Sequence, residues 1–188
     1  MQSMLPDRIF LLFITLFCIT TVFALSNHPV DSDKWTDEYD RHFRKYSKRY
    51  FGPLFDWHWF KAQAIAESNL NADAVSHVGA RGLMQIMPDT FKEITDKNPH
   101  FAEVDQPRWN IAAGIYYDRL LYRKFPTTPE QDRLYLALAS YNAGYGRILN
   151  ASRKLQTDSP LWQEVKPYMP LETRNYVDRI KILMGVSG

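Results

Sequence analysis

The chain has 188 residues, with 23 Lys and Arg against 21 Asp and Glu, and a formal balance of +2 argues against a dedicated nucleic-acid binder. Hydrophobic residues make up 45% and aromatics 14%, while 8 Gly and 11 Pro are too few for a collagenous or low-complexity polymer. One packed domain is expected at this length, and the single Cys18 rules out a disulfide framework.

Ile9 to Leu25 carries no charge and follows Arg8, the pattern of an export signal, and Val22-Phe23-Ala24 offers a cut after Ala24. The run is just short of the ~20 residues that span a bilayer, so an uncleaved anchor is the alternative. Residues 1–24 are read as signal peptide or N-terminal anchor. Bulky Leu16 and Phe17 before Cys18 argue against lipid attachment there. Cleavage would remove the only thiol, excluding cysteine nucleophiles and thiolate metal sites. His28, His42, His58, His77 and His100 show no short ligand spacing, so no metal or cofactor is expected. Residues 25–38, polar from Ser26 to Asp33, read as a mobile tether, and residues 39–188 as the domain.

Within that domain the apolar periodicity is helical. Tyr39, Phe43, Tyr46 and Tyr50 fall on one face, opposite a solvated basic face of Arg41, Arg44, Lys45, Lys48 and Arg49. Gly52-Pro53 breaks this helix. A second, from about Trp57 to Ser68, is apolar on nearly every side through Ala62, Ala64, Ile65 and Ala66, which places it in the domain interior. Asn69 to Met87 reads as loop, and Pro88 opens a third helix through Ile94. Asn110 is a candidate cap for a helix from Ile111 to Phe125, and Thr128-Pro129-Glu130-Gln131 is a capping-box arrangement for one that stops at Gly144. Helices from Tyr145 to Leu155 and from Glu172 to Met184 follow. With no alternating strand, the expected class is mainly α, with a minimal hairpin at most.

On the second helix Trp57, Phe60, Ala64 and Glu67 are spaced 3, 4 and 3 apart, so a carboxylate shares an apolar stripe. Burial raises the pKa of such a group, which lets a glutamate hold a proton near neutrality and donate it. Periodicity alone leaves this reading level with that of a solvated helix-end glutamate. The loop behind it, Gly79-Ala80-Arg81-Gly82, is small-residue rich where the backbone must turn tightly. The neutral amide of Gln85 beside it suits recognition of uncharged sugars.

Together, Glu67-Ser68, the run from Gly79 to Pro88, Tyr141-Asn142-Ala143-Gly144, and Glu172-Thr173 with Tyr176-Val177 resemble the soluble lytic transglycosylase family in its lysozyme-like catalytic domain. The likeness spans roughly Tyr39 to Met184. His77 stands where many members have Pro. The resemblance implies a lysozyme-like, all-helical single domain that cleaves the β-1,4 bond between N-acetylmuramic acid and N-acetylglucosamine in peptidoglycan, leaving a 1,6-anhydro end. It implies Glu67 as acid and then base, with Ser68, Met84, Gln85, Tyr141, Asn142 and Tyr176 around the substrate. Met84 would wall the sugar cleft, and the Tyr176 hydroxyl would approach the catalytic carboxylate. Glu172 would be structural, pairing with a nearby Arg.

Goose-type lysozymes share the Gly-Leu-Met-Gln run but carry Asp shortly beyond it, where this chain has Ile86 and Met87. Hydrolysis is therefore the weaker alternative, and a non-catalytic peptidoglycan-binding module of an envelope-spanning machine is the third. The expected partner is the glycan strand, met by an exported monomer in the periplasm or cell envelope. Membrane association through the N-terminus and a partner in an envelope machine remain open.

Overall fold

A computed structural model describes residues 28–186 of the chain, so the readings over residues 1–24, Cys18 included, lie outside the described residues. The expected aromatic stripe forms α1, Asp40–Tyr50, with Phe43 and Tyr46 buried and its five basic residues exposed. α2, His58–Ser68, crosses the interior: Phe60 to Ile65 are buried without interruption. Lys61 lies within that run, and its ammonium meets Asp40 of α1 at 2.8 Å. A buried lysine needs such a partner, because an uncompensated charge there would cost several kcal/mol, roughly 3–5 when one partner is removed.

The remaining helices are α3 (Pro88–Lys97), α4 (Pro107–Tyr122), α5 (Glu130–Ala143), α6 (Tyr145–Leu155), α7 (Trp162–Val165) and α8 (Leu171–Leu183). α5 is the central element. Its residues Leu134 to Ser140 are all buried, and it packs on α4, α6, α7 and α8, while α2 packs on α1 and α8. Among the described residues there is no sheet. Two isolated antiparallel bridges, Val75 with Arg81 and Arg81 with Ile86, shape the segment between α2 and α3. The all-helical class with a minimal hairpin is what the sequence predicts.

Three local expectations are corrected. Asn110 does not cap a helix: α4 begins three residues earlier at Pro107, and the buried Asn110 side chain is spent on tertiary hydrogen bonds. Thr128 does not cap α5 either, because its hydroxyl donates to the Pro160 carbonyl at 3.4 Å and Pro129 takes the cap position. The expected tether is docked from residue 28 onward. Pro29–Asp31 form a turn of 3-10 helix against α2 and α8, with Val30 fully buried. Burying one valine stabilises by roughly 1.5–3 kcal/mol, enough to hold a short segment. No helix among the described residues is long and apolar enough to cross a membrane.

Candidate active site

Glu67 sits half-buried in the last turn of α2, and Tyr176 of α8 donates its hydroxyl to Glu67 Oε1 at 2.6 Å. Burial is the largest influence on the carboxyl and raises its pKa; the Tyr176 hydrogen bond opposes this and the charge of Glu172 adds to it, leaving the group pushed up to about 7. Near neutral pH the side chain therefore exists in both protonation states. Burial, and then the charge of Glu67, holds the Tyr176 phenol well above its ordinary value, so it remains a donor. Glu172 itself is exposed and forms no ion pair among the described residues, contrary to the pairing expected for it.

The segment after α2 is held by side chains in place of regular structure. Asn69 and Leu70 both adopt left-handed backbone, φ 55° and 61°, and Arg179 of α8 secures the first by donating to Asn69 Oδ1 at 2.6 Å. Ser68 Oγ reaches the Leu83 carbonyl at 2.9 Å. Gln85, itself at φ 45°, donates its amide to the carbonyls of Ala74 at 3.1 Å and Gly82 at 2.9 Å. Asn110 accepts from the Met84 amide at 2.7 Å and donates to the carbonyls of Arg81 and Val104, each at 2.9 Å. Gly82 is required here: φ is 75°, and a Cβ would lie 2.4 Å from Asn110 Nδ2. Backbone in sparsely populated regions clusters at functional sites because the surroundings must over-determine it.

The residues singled out by sequence meet different fates. Tyr176 approaches the carboxylate, as expected. Tyr141 donates to the Met84 carbonyl at 2.8 Å and stacks edge-on with Tyr117; burial and then the Glu67 charge raise its phenol. Asn142 accepts from Thr173 at 2.8 Å, tying α5 to α8. Met84 is a correction. It is fully buried against Gly114, where a Cβ would come within 2.8 Å of it, and so cannot wall a cleft. Met87 is exposed, and with Gln85, Ile86, Thr90, Tyr117 and Tyr141 it lines a cleft of about 80 Å³.

One carboxyl was not found from sequence. Asp118 of α4 is 1% exposed, accepts a hydrogen bond from Gln63 of α2 at 3.2 Å, and is raised well above its ordinary pKa by burial and, to a lesser degree, by the charge of Glu67. Burial therefore disfavours its charged form. The signal was available: Ile111, Ile115 and Asp118 follow helical spacing, the same acid-on-an-apolar-stripe pattern that marks Glu67.

Comparison with known proteins adds an independent line. The family model for the transglycosylase SLT domain matches residues 45–160. A membrane-bound lytic murein transglycosylase F from Shewanella woodyi is 34% identical over 155 residues, covering 78% of this chain and 31% of the relative. Among solved structures, the 70 kDa soluble lytic transglycosylase from Escherichia coli superposes with a TM-score of 0.66 at 26% identity, over 79% of this chain and 24% of that one. The lytic transglycosylase Slt from Pseudomonas aeruginosa, solved as an inactive Glu-to-Gln mutant, gives 0.63 at 29% identity, over 78% and 23%. The chain thus spans less than a third of the length of these relatives.

Proposed function

We propose that this chain, which belongs to the transglycosylase SLT domain family, cleaves the β-1,4 bond between N-acetylmuramic acid and N-acetylglucosamine in peptidoglycan, with Glu67 as its acid and then its base. The observation that carries the reading is a half-buried carboxyl whose pKa is pushed up to about 7 and whose Oε1 is held by Tyr176 at 2.6 Å. An acid poised near the working pH can give its proton and take one back at comparable cost. The relatives support the same direction, being lytic murein transglycosylases, one of them inactive as a Glu-to-Gln mutant.

In this mechanism the Oε2 side of Glu67 gives its proton to the glycosidic oxygen as the bond to carbon 1 breaks. The substrate's own N-acetyl group stabilises the cationic centre. The Glu67 carboxylate then takes the proton of the muramyl carbon-6 hydroxyl as that oxygen bonds to carbon 1, closing the 1,6-anhydro ring and restoring the acid without consuming water. Tyr176 keeps Oε1 occupied and the carboxyl plane fixed through both steps. Gln85 and Ser68 lie in the loop after α2, and we assign them to the N-acetyl groups; both already hydrogen-bond loop carbonyls, so any sugar contact must use their remaining capacity. Tyr141 and Asn142 act as supports of the loop and of α8.

A hydrolase would need a second carboxylate to activate water. Asp118 is a poor candidate because it is sealed from solvent and its burial disfavours the charged form a base needs. The membrane-bound description of the curated relatives supports reading residues 1–24 as a signal or anchor that delivers the domain to the cell envelope. The test is release of soluble fragments from purified sacculi: the wild-type chain should solubilise them, and Glu67→Gln, while still folded, should not. Solubilisation by both would refute the assignment of Glu67.

A further inference from the structure

Away from Glu67, at the opposite end of α2, the docked N-terminal segment brings two histidines and two aspartates together. His28 Nδ1 faces the Met184 carbonyl at 2.9 Å, and His28 Nε2 faces Asp56 Oδ2 at 3.3 Å. His58 Nε2 faces Asp31 Oδ2 at 3.2 Å, and His58 Nδ1 faces Asp56 Oδ1 at 2.5 Å. All four ring nitrogens thus point at oxygens of carbonyls or carboxylates, groups that ordinarily only accept. Two neutral imidazoles carry only two N–H protons between them.

Those two protons have natural places. His28 Nδ1–H serves the Met184 carbonyl, and His58 Nε2–H serves Asp31. His28 Nε2 and His58 Nδ1 then both face the single carboxylate of Asp56. Protons fill both edges only when both rings are imidazolium; a single metal cation at their centre fills both at once. The pattern is that of a metal centre in which each ligating histidine gives its other N–H to a carboxylate or backbone carbonyl, fixing the tautomer and the ring orientation.

We propose that His28, Asp56 and His58 form a binding site for one divalent transition-metal ion, zinc by its donor set. Two imidazoles and a carboxylate are an established three-ligand zinc combination that keeps a fourth position for water. The candidate ligand atoms all lie within 4.8 Å of one another. Ligand atoms about 2.0–2.1 Å from a tetrahedral ion sit roughly 3.3 Å apart, as His28 Nε2 and Asp56 Oδ2 already do at 3.3 Å. His58 Nδ1 meets the other oxygen, Asp56 Oδ1, at 2.5 Å, so the carboxylate must turn or bind through both oxygens, a side-chain adjustment for half-buried groups. The ion would join residue 28, ahead of the first helix, to the start of α2. Through Met184 it would also engage the end of α8, so its role is to clamp the segment that follows the N-terminal apolar run.

The experiment uses the full chain in detergent carrying Cys18→Ser, so that the single thiol offers no ligand. Zinc is titrated against a chromophoric chelator at pH 7.5. One equivalent should bind, and His28→Ala and Asp56→Asn should each weaken binding at least tenfold. The controls His77→Ala and His100→Ala, which change exposed histidines elsewhere, should leave it unchanged. Zinc at a hundredfold excess over its Kd should raise Tm by roughly 5–10 °C. His28 lies outside every helix, so His28→Ala carries the test even where a change in α2 perturbs folding. Absence of saturable binding, or binding equally strong in His28→Ala, would overturn the proposal. So would an unchanged Tm on adding zinc, which would leave protons as the occupants of both edges.

Discussion

Replacing Glu67 by Gln removes a charge from a site that disfavours it while keeping the shape and an oxygen for Tyr176, so the variant is expected to lose activity and gain stability. The Glu67 carboxyl is raised from 4.5 to about 7. At about 1.4 kcal/mol per pH unit, the ionised form costs the folded chain about 3 kcal/mol, an upper figure because solvent screens a half-buried group. The folded state holds this proton more tightly than the unfolded state. Its contribution is therefore fully present below about pH 4.5 and is lost as pH rises through 7. Wild type and Glu67→Gln should thus be equally stable at pH 4, and the variant should lead by up to about 3 kcal/mol at pH 8, or roughly 6–12 °C in Tm. Urea unfolding at pH 4, 6 and 8 measures the difference directly. A difference that does not vary with pH, or a variant less stable at pH 8, would refute the burial argument.

Tyr176→Phe removes the hydrogen bond that lowers the Glu67 pKa; a bond to a charged group contributes about 1.5–3 kcal/mol, so the alkaline limb of the pH–rate profile should move up by about 1 unit or more as kcat falls. An unmoved limb would show that the phenol does not act on the carboxyl. Asp118→Asn replaces a buried acid, whose charged form burial disfavours, with an amide of the same size and should leave turnover within about threefold at pH 6, whereas loss of activity would make Asp118 a participant. Gly82→Ala forces left-handed backbone and a clash with Asn110, so thermal melts should show a loss of about 2 kcal/mol or more.

The main features of the fold were legible because its helices obey one periodicity. The stripe of α1 and the all-round apolarity of α2 each follow from residue order. α7 and the adjoining 3-10 turn at Lys166–Tyr168 were too short to show a period. Local polar signals misled where tertiary partners competed for the same atoms. Asn110 reads as a helix cap from its neighbours, yet its amide is committed to Arg81, Val104 and Met84, residues that sequence order does not bring together. Thr128 went the same way, to Pro160. Val30 is one apolar residue in a polar stretch, too little to predict that the stretch docks.

The site was legible in part. Glu67 and Tyr176 lie 109 positions apart, and the resemblance, not the spacing, paired them. Met84 was misplaced because a methionine in a loop carries no mark of which way it faces, and the absence of a Cβ at Gly114 draws it inward. The five histidines show no short ligand spacing along the chain, while the fold sets His28 and His58 rings 5.0 Å apart. Spacing rules detect ligands on one element and cannot see those assembled from two.

The central claim is that one carboxyl passes a proton out and back without water entering the product. Mass analysis of fragments released from purified peptidoglycan tests this most directly, with Glu67→Gln run alongside. Anhydro-muramyl fragments, lighter by one water than their reducing-end counterparts, are expected from the wild-type chain, and none above background from the variant. Hydrated reducing ends from the wild-type chain would contradict it.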